Sequence, residues 1–269
     1  MKTVLSVLLL SCFIVVKAQT EIVANPGEYI EAENYGGKVE LKRFLQQEMN
    51  YPEKALKNKT EGTVELAFVV DSKTGKTSQL QVRNSVSPEL DAEAIRLYNM
   101  LQFVPSYYKG DKVTTYSTLK IKFSVKNYQR ICKKRGYDKI EYTADMDTSF
   151  RIYNDNEVNV KPAFVFEDKL EDITSFIYKN LKYPEGTRKL NITGIVKLAF
   201  VVEPTGRITN IKVIKDVGGG ATNETERLLK LLSFKPGSID GKKVRVIKTF
   251  EVNFNLSNNS GIDYVPTSY

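Results

Sequence analysis

The five residues Leu66-Ala67-Phe68-Val69-Val70 occur twice, returning as Leu198-Ala199-Phe200-Val201-Val202. A Gly stands four residues before each copy (Gly62, Gly194). Tyr-Pro-Glu stands further upstream (Tyr51-Pro52-Glu53, Tyr183-Pro184-Glu185). Apolar positions repeat around these anchors: Leu41 matches Ile173, Phe44 matches Phe176 and Met49 matches Leu181 at a constant shift of 132. The turn after the pentapeptide loses one residue. Beyond it Phe103 matches Phe234, Pro105 matches Pro236 and Gly110 matches Gly241 at a shift of 131. A core pattern kept over such a span, with one deletion in a turn, indicates two copies of one fold. The 269 residues suffice for two such domains with connections.

Within the first copy, Val39, Leu41, Phe44, Leu45 and Met49 fall at helical spacing, which predicts an amphipathic helix over 38–49. Pro52 suits the first turn of a short helix over 53–57. From Gly62, alternation of Val64, Leu66, Phe68 and Val70 with polar residues predicts a strand, followed by a Gly-containing hairpin at Asp71–Gly75. A second strand turns Leu80 and Val82 inward. Ser87 as N-cap and Pro88 after it open a helix striped by Leu90, Ala94, Leu97 and Leu101. A third strand carries Leu119, Ile121, Phe123 and Val125 on one face and Thr118, Lys120, Lys122 and Ser124 on the other. Residues 128–162 are rich in charge, Asn and Tyr and read as a linker between a first domain at 30–127 and a second at 163–256. A polar tail occupies 257–269. In the second copy, Ser85 through Asp91 is replaced by Asp216 through Thr222, a Gly-rich stretch. Its helix is therefore expected to start late, capped by Asn223.

This ordered set resembles the C-terminal domain of the TonB family. In the first copy it reads Tyr51-Pro52, Gly62, Phe68-Val69-Val70, Gly75, Leu90-Asp91 with Ala94, Phe103-Val104-Pro105 and Gly110. In the second it reads Tyr183-Pro184, Gly194, Phe200-Val201-Val202, Gly206, Phe234-Lys235-Pro236 and Gly241, without the Leu-Asp-x-x-Ala element. The resemblance implies an α+β fold in two copies, each a three-stranded antiparallel sheet with helices on one face and strand order 2-1-3. It also implies a mode of action, in which an extended segment of an envelope or outer-membrane receptor protein adds to a sheet edge. The partner-binding edges expected on that basis are the third strands at 116–125 and 247–256. Their residues are Tyr116, Thr118, Lys120, Lys122 and Ser124 in the first copy, and Ile247, Thr249, Glu251 and Asn253 in the second.

Composition narrows the chemistry. The chain has no His, which removes Ser-His-Asp and Cys-His nucleophile pairs and His metal sites, so no enzyme, metal or cofactor is expected. Gly75-Lys76-Thr77 lacks the upstream Gly and the strand-to-helix setting of a phosphate loop. Residues 1–18 read as a signal peptide, with Lys2, an apolar run from Val4 to Val16 and Ala18 before the cut, which implies export to the periplasm. The competing readings are lipidation at Cys12 or an uncleaved N-terminal anchor. Cys132 is then the single mature cysteine, and Lys133, Lys134 and Arg135 beside it would favour its thiolate. An energy-transducing member of the family would need an inner-membrane anchor and a long Pro-rich stretch, whereas the 9 Pro here are scattered. The expectation is therefore an exported periplasmic protein-binding protein that recognises extended segments of envelope or outer-membrane receptor proteins by strand addition. The alternatives are an anchored energy transducer and a cell-wall-binding scaffold. The formal charge of +8 favours anionic envelope material, nucleic acid is excluded by export, and edge strands could pair two copies into a homodimer.

Overall fold

The computed structural model describes residues 28–166 and 172–255. The expected signal segment, Cys12 and the tail from Leu256 onward lie outside the described residues. The first copy opens with short strands β1 (Tyr29–Ile30) and β2 (Glu33–Asn34), then helices α1 (Gly37–Glu48) and α2 (Glu53–Lys57). β3 (Gly62–Val70), β4 (Thr77–Asn84), α3 (Pro88–Met100), β5 (Phe103–Val104), β6 (Ser106–Tyr108), β7 (Asp111–Val113) and β8 (Thr115–Phe123) follow. The main sheet is antiparallel in the order β4-β3-β8, the expected 2-1-3.

The strand pattern explains the burial. Val64, Leu66, Phe68 and Val70 all point from central β3 into one core and are at most 1 % exposed. Each contributes roughly 1.5–3 kcal/mol by leaving water. Phe44 of α1 and Leu90, Ala94 and Leu97 of α3 close over them. Ser87 caps α3 by accepting from the Leu90 amide at 3.3 Å. Gly75 sits at φ 69, and a Cβ there would collide with the Phe103 carbonyl; Gly206 repeats this at φ 80 against Phe234. The glycines spaced alike in both copies therefore answer one steric demand.

Three expectations for the first copy are corrected. Val39 is 79 % exposed, because α1 aims Phe44 at the core and turns buried Glu40 and Glu48 along another flank. Val82 is 37 % exposed on edge strand β4. The third strand stops at Phe123: Ser124 is the N-cap residue, and Val125 the first residue, of helix α4 (Val125–Arg135), so neither continues the strand. α4 lies within the stretch read as a linker and packs on the first core through Tyr128 and Cys132. Cys132 is 7 % exposed, so it is a small apolar filler here rather than a linker thiol.

The connection contributes β9 (Ile152–Tyr153), and the second copy comprises β10 (Ala163–Val165), α5 (Ile173–Asn180), α6 (Glu185–Lys189), β11 (Gly194–Val202), β12 (Ile208–Lys215), α7 (Ala221–Leu229), β13 (Ser233–Lys235), β14 (Gly237–Ile239) and β15 (Lys242–Phe254). Its sheet contains the expected order β12-β11-β15 but is not limited to three strands. β14 pairs with the start of β15, and β9 pairs in parallel beside Arg245 and Val246. α7 begins at Ala221 behind Gly220 (φ 91), not behind Asn223, because the Gly-rich stretch supplies the left-handed residue for an earlier start.

Polar details repeat as well as the cores. Glu93 accepts the Asn50 amide (2.8 Å) and Arg96 Nε (2.7 Å). Glu224 likewise accepts the Lys182 amide (2.6 Å) while bonded to Arg227 Nε (2.8 Å). Tyr51 and Tyr183 each donate to a carbonyl nine residues on, Thr60 and Ile192. The replacement of Ser85 and Asp91 by Asp216 and Thr222 preserves a contact with its chemistry reversed. In the first copy the Ser85 hydroxyl donates to the Asp91 carboxylate; in the second the Thr222 hydroxyl donates to Asp216. Carboxylate and hydroxyl have exchanged ends of one hydrogen bond.

Acid should loosen the second copy through Glu224. Burial pushes its carboxyl up, but the Arg227 hydrogen bond, the Lys182 amide and the nearby cations outweigh burial and hold it below the usual carboxylate range. A folded-state pKa below the unfolded one gives stability that is present above about pH 4.3 and lost as pH falls through the lowered value. Urea midpoints measured from pH 6 to pH 3 should fall, and Glu224→Gln should flatten that fall.

Candidate functional site

Every central strand is paired on both sides, so the backbone available to another chain lies at the sheet edges. In the first copy β8 is such an edge. It pairs residue for residue with β3 from Gly62↔Phe123 to Val70↔Thr115, and no described strand lies on its other side. Tyr116, Thr118, Lys120 and Lys122 are all exposed on its solvent face, Tyr116 by 59 %. Glu65 on β3 lies between Lys120 (3.9 Å) and Arg83 of β4 (3.6 Å). These exposed pairs contribute little stability.

The corresponding strand of the second copy is different. β15 pairs with β11 from Gly194↔Phe254 to Val202↔Val246. Its beginning is flanked by the chain's own connection, through β9 at Arg245 and Val246 and a parallel bridge between Met146 and Lys243. Of the expected edge residues there, only Thr249 is exposed. Ile247, Glu251 and Asn253 are half-buried, and Glu251 holds Lys197 at 2.6 Å. Lys248 reaches back to Asp155 in the connection (2.5 Å). The sequence-predicted residues therefore fall into an exposed set on β8, a partly covered set on β15, and Ser124, which belongs to α4.

Sequence reasoning missed how the two copies join. Arg245 and Glu203 are both 2 % exposed and meet in a bidentate pair, Nε to Oε2 and Nη2 to Oε1, each 2.9 Å. The remaining Arg245 donors cross to the first domain's α3 and to the connection, at the carbonyls of Met100 (2.7 Å) and Phe150 (2.9 Å). Asn210, at φ 53, bridges the same seam. It donates to the Met100 carbonyl (2.9 Å) and accepts the Gln102 amide (2.7 Å). On the neighbouring flank Arg207 pairs with Glu48 of α1 (2.9 Å), leaving Glu48 Oε2 and Arg207 Nη2 without a hydrogen-bond partner among the described residues. Arg43 and Gln47 donate to the Ile208 carbonyl (3.0 and 3.2 Å), so α1 covers the start of β12. This explains why α1 buries Glu40 and Glu48: that flank faces the other domain.

The seam also shifts its titrating groups. Burial opposes the charge of Arg96, but hydrogen bonding and charge from Glu93 prevail and raise its pKa. Burial raises Tyr142, which accepts from Arg96 at 3.0 Å. Arg96 and Tyr142 lie beside Glu203 and Arg245 at the seam. Among the described residues no group of three or more Cys, Asp and Glu is placed to hold a metal ion, and no helix is long and apolar enough to cross a membrane.

The family described as the Gram-negative bacterial TonB protein C-terminal matches residues 47–125 and again 179–256, together more than half the chain. No curated protein matches it. Domains of that family are non-catalytic protein-interaction domains of the cell envelope that engage outer-membrane receptors. With the family matched twice and each match built on the same order of three main strands, the chain belongs to the TonB family and carries two tandem copies of its C-terminal domain.

Proposed function

We propose that the chain is an exported, periplasmic binding protein that recognises an extended segment of an envelope protein, such as an outer-membrane receptor, by adding it as a strand beside β8. The observation that carries this reading is the asymmetry of the edges. β8 has a free side along Thr115–Phe123 with four exposed side chains, while β15 is flanked at its start by β9 and α1 lies across the start of β12. Main-chain hydrogen bonds along β8 would supply affinity, and the side chains beside Tyr116, Thr118, Lys120 and Lys122 would supply selectivity. The exposed part of β15 at Thr249 would be the weaker site.

A photo-crosslinking residue placed at Thr118 tests this in intact cells, with the same residue at Thr249 for comparison. Recovery of a discrete outer-membrane protein, crosslinked through an extended segment and several-fold more strongly from 118 than from 249, is the expected outcome. A diffuse set of envelope proteins, equal from both positions, would show the reading to be wrong.

A further inference from the structure

The first family match ends at residue 125, where α4 begins. This added helix carries Lys126, Arg130, Lys133, Lys134 and Arg135 in 11 residues and no acidic side chain. Arg135 is committed to structure. Its Nη1 reaches the carbonyls of Gln46 (3.3 Å), Gln47 (3.2 Å) and Met49 (2.9 Å) at the end of α1. The other four cations are exposed and have no ion pair among the described residues; Arg130 bonds only the neutral Asn127 side chain, at 2.7 Å. Beside α4 a groove of about 520 Å³ separates it from α1, and the residues lining it include exposed Lys42 and no carboxylate. Lys126, Arg130 and Lys133 also line the groove on the other side of α4, where the carboxylates are Glu53, held by Lys139 at 3.1 Å, and Asp138; at the start of the helix Glu61 accepts the Val125 amide (2.5 Å).

The geometry points to the exposed face of α4, with Lys42 of α1 beside it, as a docking surface for a bilayer rich in anionic phospholipid headgroups. Unneutralised positive charge gathered on one face calls for an anionic partner. The cations are mostly lysines, hydrated point charges on flexible stems, which suit an array of mobile phosphates. The exposed residues of α4 (Lys126, Asn127, Gln129, Arg130, Lys133, Lys134) include no apolar anchor that would fix the register of an acidic peptide. For the same reason the helix would rest on the headgroups without inserting, and salt would release it. β8 ends at Phe123, two residues before α4, so a docked α4 holds the end of that edge close to the bilayer.

The test uses the chain from Gln19 onward, which keeps every described residue, sedimented with phosphatidylglycerol–phosphatidylcholine vesicles or with pure phosphatidylcholine vesicles. Binding to the anionic vesicles at low salt, release at 0.5 M salt and no binding to neutral vesicles are expected. At about 1 kcal/mol per cation, Lys133→Gln with Lys134→Gln should weaken partition roughly thirtyfold. Lys179→Gln with Lys235→Gln, an equal charge change at exposed sites on the second domain, should have only a small effect. Equal weakening by both pairs, equal binding to neutral vesicles, or capture by polyglutamate without vesicle binding would overturn the proposal. The assay involves no strand partner, so its outcome is separate from that of strand addition at β8.

Discussion

Replacing Arg245 by Ala should cost about 3–5 kcal/mol of unfolding free energy, the range for removing one member of a buried ion pair. Glu203 would be left at 2 % exposure with only the Thr209 hydroxyl as a side-chain partner, and the Met100 and Phe150 carbonyls would each lose a donor. Because those carbonyls belong to the first domain and the connection, the loss should also uncouple the two cores. Urea unfolding followed by circular dichroism is expected to change from one transition to two, with the second domain opening first. Arg245→Met combined with Glu203→Leu removes both charges and should recover much of the loss, since an apolar pair of similar volume often serves as well. A single transition shifted by less than about 1 kcal/mol for Arg245→Ala would mean that the pair does not join the domains. By comparison, Glu48→Gln should be milder, because its pair with Arg207 already leaves one atom on each side unsatisfied.

The central strands were legible because Val64, Leu66, Phe68 and Val70 alternate without interruption and the second copy repeats them. Alternation is a two-residue signal that a short window captures. α4 was hidden by composition. Its apolar residues Tyr128, Ile131 and Cys132 lie three and four apart, and Arg135 completes the stripe, but charged residues around them dominate any average. The seam between the copies was hidden for a different reason. Arg245 occupies the position of Thr114 and Asn210 that of Gln79, so nothing in either copy alone marks them as buried. The signal lies in the difference: where two copies of one fold diverge from small or neutral residues to Arg at a strand position, one copy has acquired a neighbour. The exposed edge residues Tyr116, Thr118, Lys120 and Lys122 followed from the 2-1-3 strand order, whereas the flanking of β15 by β9 depends on a long-range pairing that no local pattern encodes.

A proline scan along β8 should give a two-residue rhythm. In an antiparallel edge strand, alternate residues direct both N–H and C=O to the inner neighbour, and the others direct both outward. Proline placed singly at 118, 119, 120, 121 and 122 should therefore separate into two classes. Where the lost N–H pointed to β3, the ladder is broken and stability falls by several kcal/mol, in keeping with the cost of proline inside regular structure. Where it pointed outward, the fold survives with a smaller loss, since proline is tolerated on an edge, but an added strand loses a main-chain bond. Affinity for a receptor segment recovered by crosslinking at Thr118 should then drop at least tenfold for the outward class, while the urea midpoint moves little. The converse substitutions Lys120→Gln and Lys122→Gln keep every backbone donor and should change affinity only a few-fold, through screened surface charge. If binding is indifferent to the outward prolines yet falls with the lysine changes, the partner is held by side-chain charge and not by the strand edge. Loss confined to the outward class, with the fold intact, is the pattern that only main-chain pairing at β8 would produce.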